Sequence, residues 1–175
     1  MLKKIAIVVV ILVLVVLGLV ASQPDSYSVT RTIAIKAPPE KIMPLISDFH
    51  NWPQWSPWEK LDPNLKRTFS GAPKDVGAVY AWEGNKDVGS GRMEITSLVP
   101  SSKVGIKLDF FTPMASTSQT DFVLEPQGEM TTVSWTMSGK SGFATKLMTV
   151  FTSLDKMIGP DFEKGLSQMK AVAEK

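Results

Sequence analysis

Pro38-Pro39-Glu40-Lys41-Ile42-Met43-Pro44-Leu45-Ile46-Ser47-Asp48-Phe49, running on through His50-Asn51-Trp52-Pro53-Gln54-Trp55-Ser56-Pro57-Trp58, decides how this chain is read. It begins as an amphipathic helix, because proline's missing N–H is harmless in a first turn and Glu40 suits the positive end of the helix dipole. Ile42, Leu45, Ile46 and Phe49 then follow the i, i+3, i+4, i+7 spacing of a buried stripe. Pro44 costs a hydrogen bond, so the helix is expected to be short or bent. The stretch closes in a proline-broken run that holds three of the chain's 5 tryptophans. That much aromatic surface, in a segment that can be neither regular helix nor strand, either plugs the mouth of a hydrophobic core or lines a cavity.

On either side the apolar spacing changes from helical to alternating. Upstream, Ser28 to Lys36 alternates, with Val29, Ile33 and Ile35 on one face and Thr30, Thr32 and Lys36 on the other, which predicts a strand. Downstream, alternation recurs at Leu65–Ser70, Ala78–Glu83 and Arg92–Thr96, with Gly71–Asp75 and Gly84–Asp87 as turns. Lys103–Phe110 is the clearest case, placing Val104, Ile106, Leu108 and Phe110 on one face. Ser116–Glu125 and Thr131–Ser138 read as a hairpin around Pro126-Gln127-Gly128-Glu129. One apolar and one polar face per strand is the pattern of an antiparallel sheet wetted on one side. From Leu147 through Phe151, Leu154, Ile158, Phe162, Leu166 and Met169 the spacing returns to three and four, which predicts a closing helix. Gly159-Pro160 is expected to kink or split it. Gly165, costly inside a helix, implies close approach to the sheet.

The N-terminus has a different composition. After Lys3 and Lys4 comes an uncharged apolar run from Ile5 to Ala21, about 25 Å long as a helix at about 1.5 Å per residue. A signal-anchor and a cleaved signal peptide both fit; a cleavable apolar region is usually only about 7–15 residues long. The expected division is 1–22 anchor or signal, 23–27 linker and 28–175 folded domain. By the positive-inside rule, Lys3 and Lys4 stay cytoplasmic and the domain lies beyond the membrane, secreted if the segment is cleaved. Lys3 and Lys4 apart, the remaining basic residues of a total of 19 balance the 17 acidic ones, so no nucleic-acid footprint is expected. With no cysteine there is no disulfide and no thiolate nucleophile. One histidine and no cysteine make a transition-metal site improbable, and no cofactor is expected.

Strand, helix with aromatic loop, six further strands and a long closing helix make a two-layer α+β domain, a curved antiparallel sheet wrapped on one helix. Four stretches carry a family resemblance. They are Ile35-Lys36-Ala37-Pro38-Pro39-Glu40-Lys41, the Asp48–Trp58 run, Leu124-Glu125-Pro126-Gln127-Gly128 ahead of a Thr-Val-Ser-Trp strand, and the final helix from Gly165-Leu166 to Lys170. Together they resemble the helix-grip fold of the SRPBCC (START-like) superfamily, and within it the polyketide cyclase/dehydrase and lipid-transport group. The resemblance spans about Ser28 to Lys175, and Pro44 departs from the usual uninterrupted helix. It implies a sheet of about seven strands and a space between sheet and helix that takes a lipid or other hydrophobic small molecule. The candidate lining is Trp55, Trp82, Ile95, Ile106, Leu108, Phe110, Phe122, Trp135, Phe151 and Ile158, with plain core as the alternative for each.

Three functions follow as expectations. The first is a non-catalytic hydrophobic-ligand binder held at the membrane by Ile5–Ala21. The second is a cyclase or dehydratase, which needs ionisable groups inside the cavity, drawn from Arg31, Asp48, His50, Glu83, Arg92 and Asp121. The third is an interaction module whose tryptophan loop docks on a partner, which needs Trp52 and Trp55 exposed. Arg31, Arg92, Glu94, Lys107 and Asp109 are expected to face outward.

Overall fold

The computed structural model describes Met1–Lys175. Helix α1 (Leu2–Ala21) is followed by strand β1 (Ser26–Ile35), helix α2 (Pro39–Ser47) and two 3₁₀ turns, Phe49–Gln54 and Pro57–Lys60. Strands β2 (Lys66–Gly71), β3 (Ala78–Glu83), β4 (Ser90–Val99), β5 (Lys103–Thr112), β6 (Ser116–Gln127) and β7 (Met130–Lys140) come next, then helices α3 (Phe143–Thr149) and α4 (Leu154–Ala173). All seven strands join one antiparallel sheet in the order β1-β7-β6-β5-β4-β3-β2. Helix α4 crosses its inner face, chiefly against β1. This is the expected helix-grip architecture, with an apolar helix ahead of it.

Alternation puts Ile35, Ile95, Val104, Ile106, Phe122, Leu124 and Val133 on the inner face, all fully or almost fully buried. They pack on Phe162, Leu166, Met169 and Ala173 of α4 and on Ile42, Ile46 and Phe49 of the α2 segment. Pro44 leaves α2 only nine residues long. The two tryptophans that follow make up for its short end: Trp52 Nε1 donates to the Ile46 carbonyl at 3.0 Å and Trp55 Nε1 to the Leu45 carbonyl at 2.7 Å. These are last-turn carbonyls with no helical partner of their own. Trp52 and Trp55 are 3% and 0% exposed, so the loop is a plug at this end of the core. Their burial argues against the docking-module reading.

Two expectations need correction. The closing helix does not break at Gly159-Pro160. It breaks at 150–153, and α4 runs straight through Pro160. Ser153 sets the new start, its hydroxyl accepting from the Lys156 N–H at 3.2 Å as an N-cap. Arg31, in turn, does not face outward. It shares the inner face with Val29 and Ile33, and its guanidinium reaches α4, donating to Asp155 at 2.7 Å and Glu163 at 2.6 Å. Gly159 makes this possible, because a Cβ there would collide with the guanidinium. Gly165 has the close approach its position implied: an added Cβ would lie 2.9 Å from the Trp135 ring and 3.1 Å from Pro57. Arg92 with Glu94 and Lys107 with Asp109 do pair on the outer face, at 2.6 Å and 3.0 Å.

Candidate functional site: a cavity at one end of the sheet

Toward the α1 end the inner-face residues shrink on three strands and grow on two, from Ala78 to Trp82 on β3 and from Ile106 to Phe110 on β5. On β6, Leu124 and Phe122 give way to Thr120, Ser118 and Ser116; on β7, Val133 and Trp135 give way to Met137 and Gly139; on β4, Ile95 gives way to Met93 and Gly91. Register lines these small residues up, since Ser118 pairs with Gly139 and Thr120 with Met137. Aromatic rings take up part of the room: Tyr27 lies over Gly139 and is hydrogen-bonded to the Ser118 hydroxyl at 2.7 Å, and Trp82 lies over Gly91. A cavity of about 460 Å³ remains between the sheet and the N-terminal half of α4.

Tyr80, Trp82, Met93, Leu108 and Phe110 form its wall on β3–β5, and Thr120, Trp135 and Met137 on β6 and β7. Trp58 and Glu59 of the second 3₁₀ turn, Met148 of α3, and Leu154, Met157, Ile158 and Phe162 of α4 complete it. Most of this surface is apolar, as expected of a site that takes an apolar guest.

Of the residues picked out from the sequence, Trp82, Leu108, Phe110, Trp135 and Ile158 come together on this wall. Trp55, Ile95, Ile106 and Phe122 do not, being 0% exposed in the packed core at the other end. Phe151 is a correction. It is 80% exposed, because it falls in the break after α3, where the helical spacing no longer governs its direction. Sequence reasoning missed Tyr80, Glu59, Met93 and Met137 as lining. The run Ser116-Thr117-Ser118-Gln119-Thr120, a strand with no large apolar residue on its inner positions, was the available signal.

The charged groups of the wall are Glu59, which is buried, and Lys86, Asp87 and Lys140, which are exposed. Glu59, its side chain 4% exposed, accepts from the Tyr80 hydroxyl at 2.6 Å and from Arg67 Nε at 2.6 Å. Burial first, and then the hydrogen bond to Glu59, push the Tyr80 phenol well above its ordinary pKa. The Arg67 pKa is likewise raised, chiefly by its hydrogen bond to Glu59. The triad therefore ties the 3₁₀ turn to β2 and β3, and the phenolic proton is engaged with the carboxylate. Trp82 Nε1 donates to the Val88 carbonyl at 3.1 Å. The Trp135 indole differs. Its Nε1 is buried without a protein partner, and its ring is stacked on Phe162 at 4.1 Å and 5°. Packed face to face in this way, the ring has little freedom to turn toward another acceptor.

Arg31, Asp48, His50, Glu83, Arg92 and Asp121, the groups a reaction would have drawn on, are all absent from the cavity wall. His50 instead stacks on Phe69 at 4.2 Å and contacts Asp48 Oδ1 through Nδ1 at 2.8 Å, both on the outside. Asp121 pairs with Lys103 at 3.1 Å, and the exposed Glu83 with Lys66 at 3.8 Å.

The cavity has a mouth. A shallow groove of about 1190 Å³, largely open to solvent, runs past the start of β1, the start of β6 and the N-terminus of α3. It shares Tyr27, Met114, Ser116, Lys140 and Thr145 with the cavity. The opening therefore lies at the end of the sheet where α1 joins β1.

Solved structures agree with the fold. Protein CV1439 from Chromobacterium violaceum is similar with a TM-score of 0.61 at 15% identity, over 87% of this chain and 99% of that one. The Aha1 dimer from Colwellia psychrerythraea gives 0.58 at 23% identity, over 85% and 96%. The major latex-like protein 151 of Panax ginseng gives 0.59 at 15% identity, over 85% and 97%. No curated protein sequence matches this chain. Residues 26–174 match the family described as polyketide cyclase / dehydrase and lipid transport. With that match spanning nearly all of the chain after α1, and the helix-grip sheet and cavity behind it, the chain belongs to the polyketide cyclase/dehydrase and lipid-transport family of the SRPBCC superfamily.

Proposed function

We propose that the protein is a non-catalytic carrier that binds a lipid or other hydrophobic small molecule in this cavity while α1 tethers it to a membrane. The observation that carries the reading is an apolar hollow of about 460 Å³ walled by Trp82, Leu108, Phe110 and Ile158. Such a lining suits a guest that is mainly hydrocarbon. Met93, Met137, Met148 and Met157 give the wall flexible, polarisable side chains that suit guests of varied shape. A cyclase or dehydratase is less well supported, since Glu59 and Tyr80 are already bonded to each other and the other charged lining groups, Lys86, Asp87 and Lys140, are exposed.

Helix α1 is 20 residues long and uncharged after Lys4, long and apolar enough to span a bilayer or to act as a signal sequence. In this reading it remains attached, with Lys3 and Lys4 cytoplasmic and the domain on the far side. Native mass spectrometry of the full chain released from lipid nanodiscs, without detergent, tests the carrier function. A bound apolar molecule of lipid size is expected. An empty chain, together with a crystal structure whose interior is filled by side chains, would overturn it.

A further inference from the structure

Helix α3 has one face that the carrier reading does not use. Thr145 is buried and Met148 lines the cavity, but Phe143 is 62% exposed, Leu147 37% and Phe151 80%. Phe143 and Leu147, four residues apart, share one face of α3, and the exposed Phe151 follows in the break after it. An exposed cluster of this kind marks an interaction site on a folded domain.

The position of the cluster indicates what covers it. Helix α1 meets the domain at α3, and Val20, in the last turn of α1, is buried. The linker between α1 and β1 is tied to the same element: Asp25 pairs with Lys146 of α3, and its carbonyl accepts from the Ser141 N–H at 2.8 Å. The last turn of a membrane span lies at the edge of the hydrocarbon, so α3 is held at the depth of the headgroups. Short amphipathic helices at that depth bury their apolar face about 5–10 Å into the interface.

We infer that the outer face of α3, with Phe143 and Leu147, and the adjoining Phe151 are seated in the bilayer surface beside α1. The occupant of this face is membrane lipid, in continuity with the α1 span. The inner face of α3 is part of the cavity wall at its mouth, so a guest leaving the bilayer would pass α3 without crossing water. This inference rests on the membrane-tethered reading above.

The chain has no cysteine, which makes single-site labelling clean. Three variants of the full chain, Phe151→Cys, Phe143→Cys and Val99→Cys, are labelled with an environment-sensitive nitrobenzoxadiazole dye. They are then reconstituted in phosphatidylcholine–phosphatidylglycerol vesicles, with and without spin-labelled lipid. All three sites are exposed, so the substitutions leave the core intact, and Val99 lies at the opposite end of the sheet. Dye at 151 and 143 should be blue-shifted and quenched about twofold or more by spin-labelled lipid, while dye at 99 stays aqueous and unquenched. Dye at 151 and 143 that is as unquenched as at 99, in a chain that floats with the vesicles, overturns the inference and leaves the anchor standing. A blue shift without lipid quenching means a protein surface covers α3, and also overturns it. A chain that fails to float removes the anchor, and the inference with it.

Discussion

The two ends of this sheet are built from the same seven strands, yet one is packed solid and the other is hollow. At the α2 end, Ile95, Ile106, Phe122, Leu124 and Val133 meet Leu166 and Met169 under the Trp52–Trp55 plug, with no space left. At the α1 end, the same inner-face positions carry Gly91, Ser116, Ser118, Thr120 and Gly139 beneath α4. Interiors close up wherever the backbone allows. Here it does not, because the sheet ladder is fixed and Arg31 braces α4 against β1 through Asp155 and Glu163. The hollow end combines small residues on β4, β6 and β7 with the rings of Tyr27, Trp82 and Phe110, which stand around the space without filling it.

The comparison can be broken most severely at the packed end. Trp55→Ala removes a 0% exposed ring and the hydrogen bond to Leu45, and should cost about 3–5 kcal/mol in denaturant unfolding. A much smaller loss would mean that this end is loosely packed as well. The sharpest contrast comes from two positions on one face of β5. Ile106→Phe overfills the core and should cost about 1–3 kcal/mol, whereas Leu108→Phe grows into the cavity at less than about 1 kcal/mol while reducing guest capacity. Equal costs would show that the hollow is not there.

A smaller effect tests the brace. Hydrogen bonding to Arg31 holds the Asp155 carboxyl below its usual pKa. Its stabilisation is therefore complete above the unfolded value of about 3.9 and fades as pH falls through the lower folded value. Amide protection in residues 154–163, taken relative to the intrinsic exchange rate at each pH, should thus fall in strong acid, and Arg31→Met should produce the same change at neutral pH and abolish the acid response. An undiminished acid response in Arg31→Met would separate it from this brace.

Much of this was legible in the sequence, for identifiable reasons. Strand β3 falls at Ala78–Glu83 as its alternation and flanking turns require, and Pro44 does shorten α2. The break after α3 was not legible, because Leu147, Phe151 and Leu154 keep helical spacing across it, and only the Ser153 cap reveals a new start. The direction of Arg31 was readable in principle from its parity with Val29 and Ile33. Charge argued for the surface, and the carboxylates that receive it lie more than a hundred residues away. Core and cavity could not be told apart at Trp55, Phe122, Trp82 or Phe110. That distinction depends on which small residues sit across the register, and pairing such as Ser118 with Gly139 is a property of the folded sheet.

A crystal structure of the full chain, purified in lipid without added ligand, tests the hollow most directly. Continuous density for an elongated guest bounded by Trp82, Leu108, Phe110 and Ile158 is expected. A collapsed interior, with Met93, Met137 and Met157 folded into the space, would contradict it.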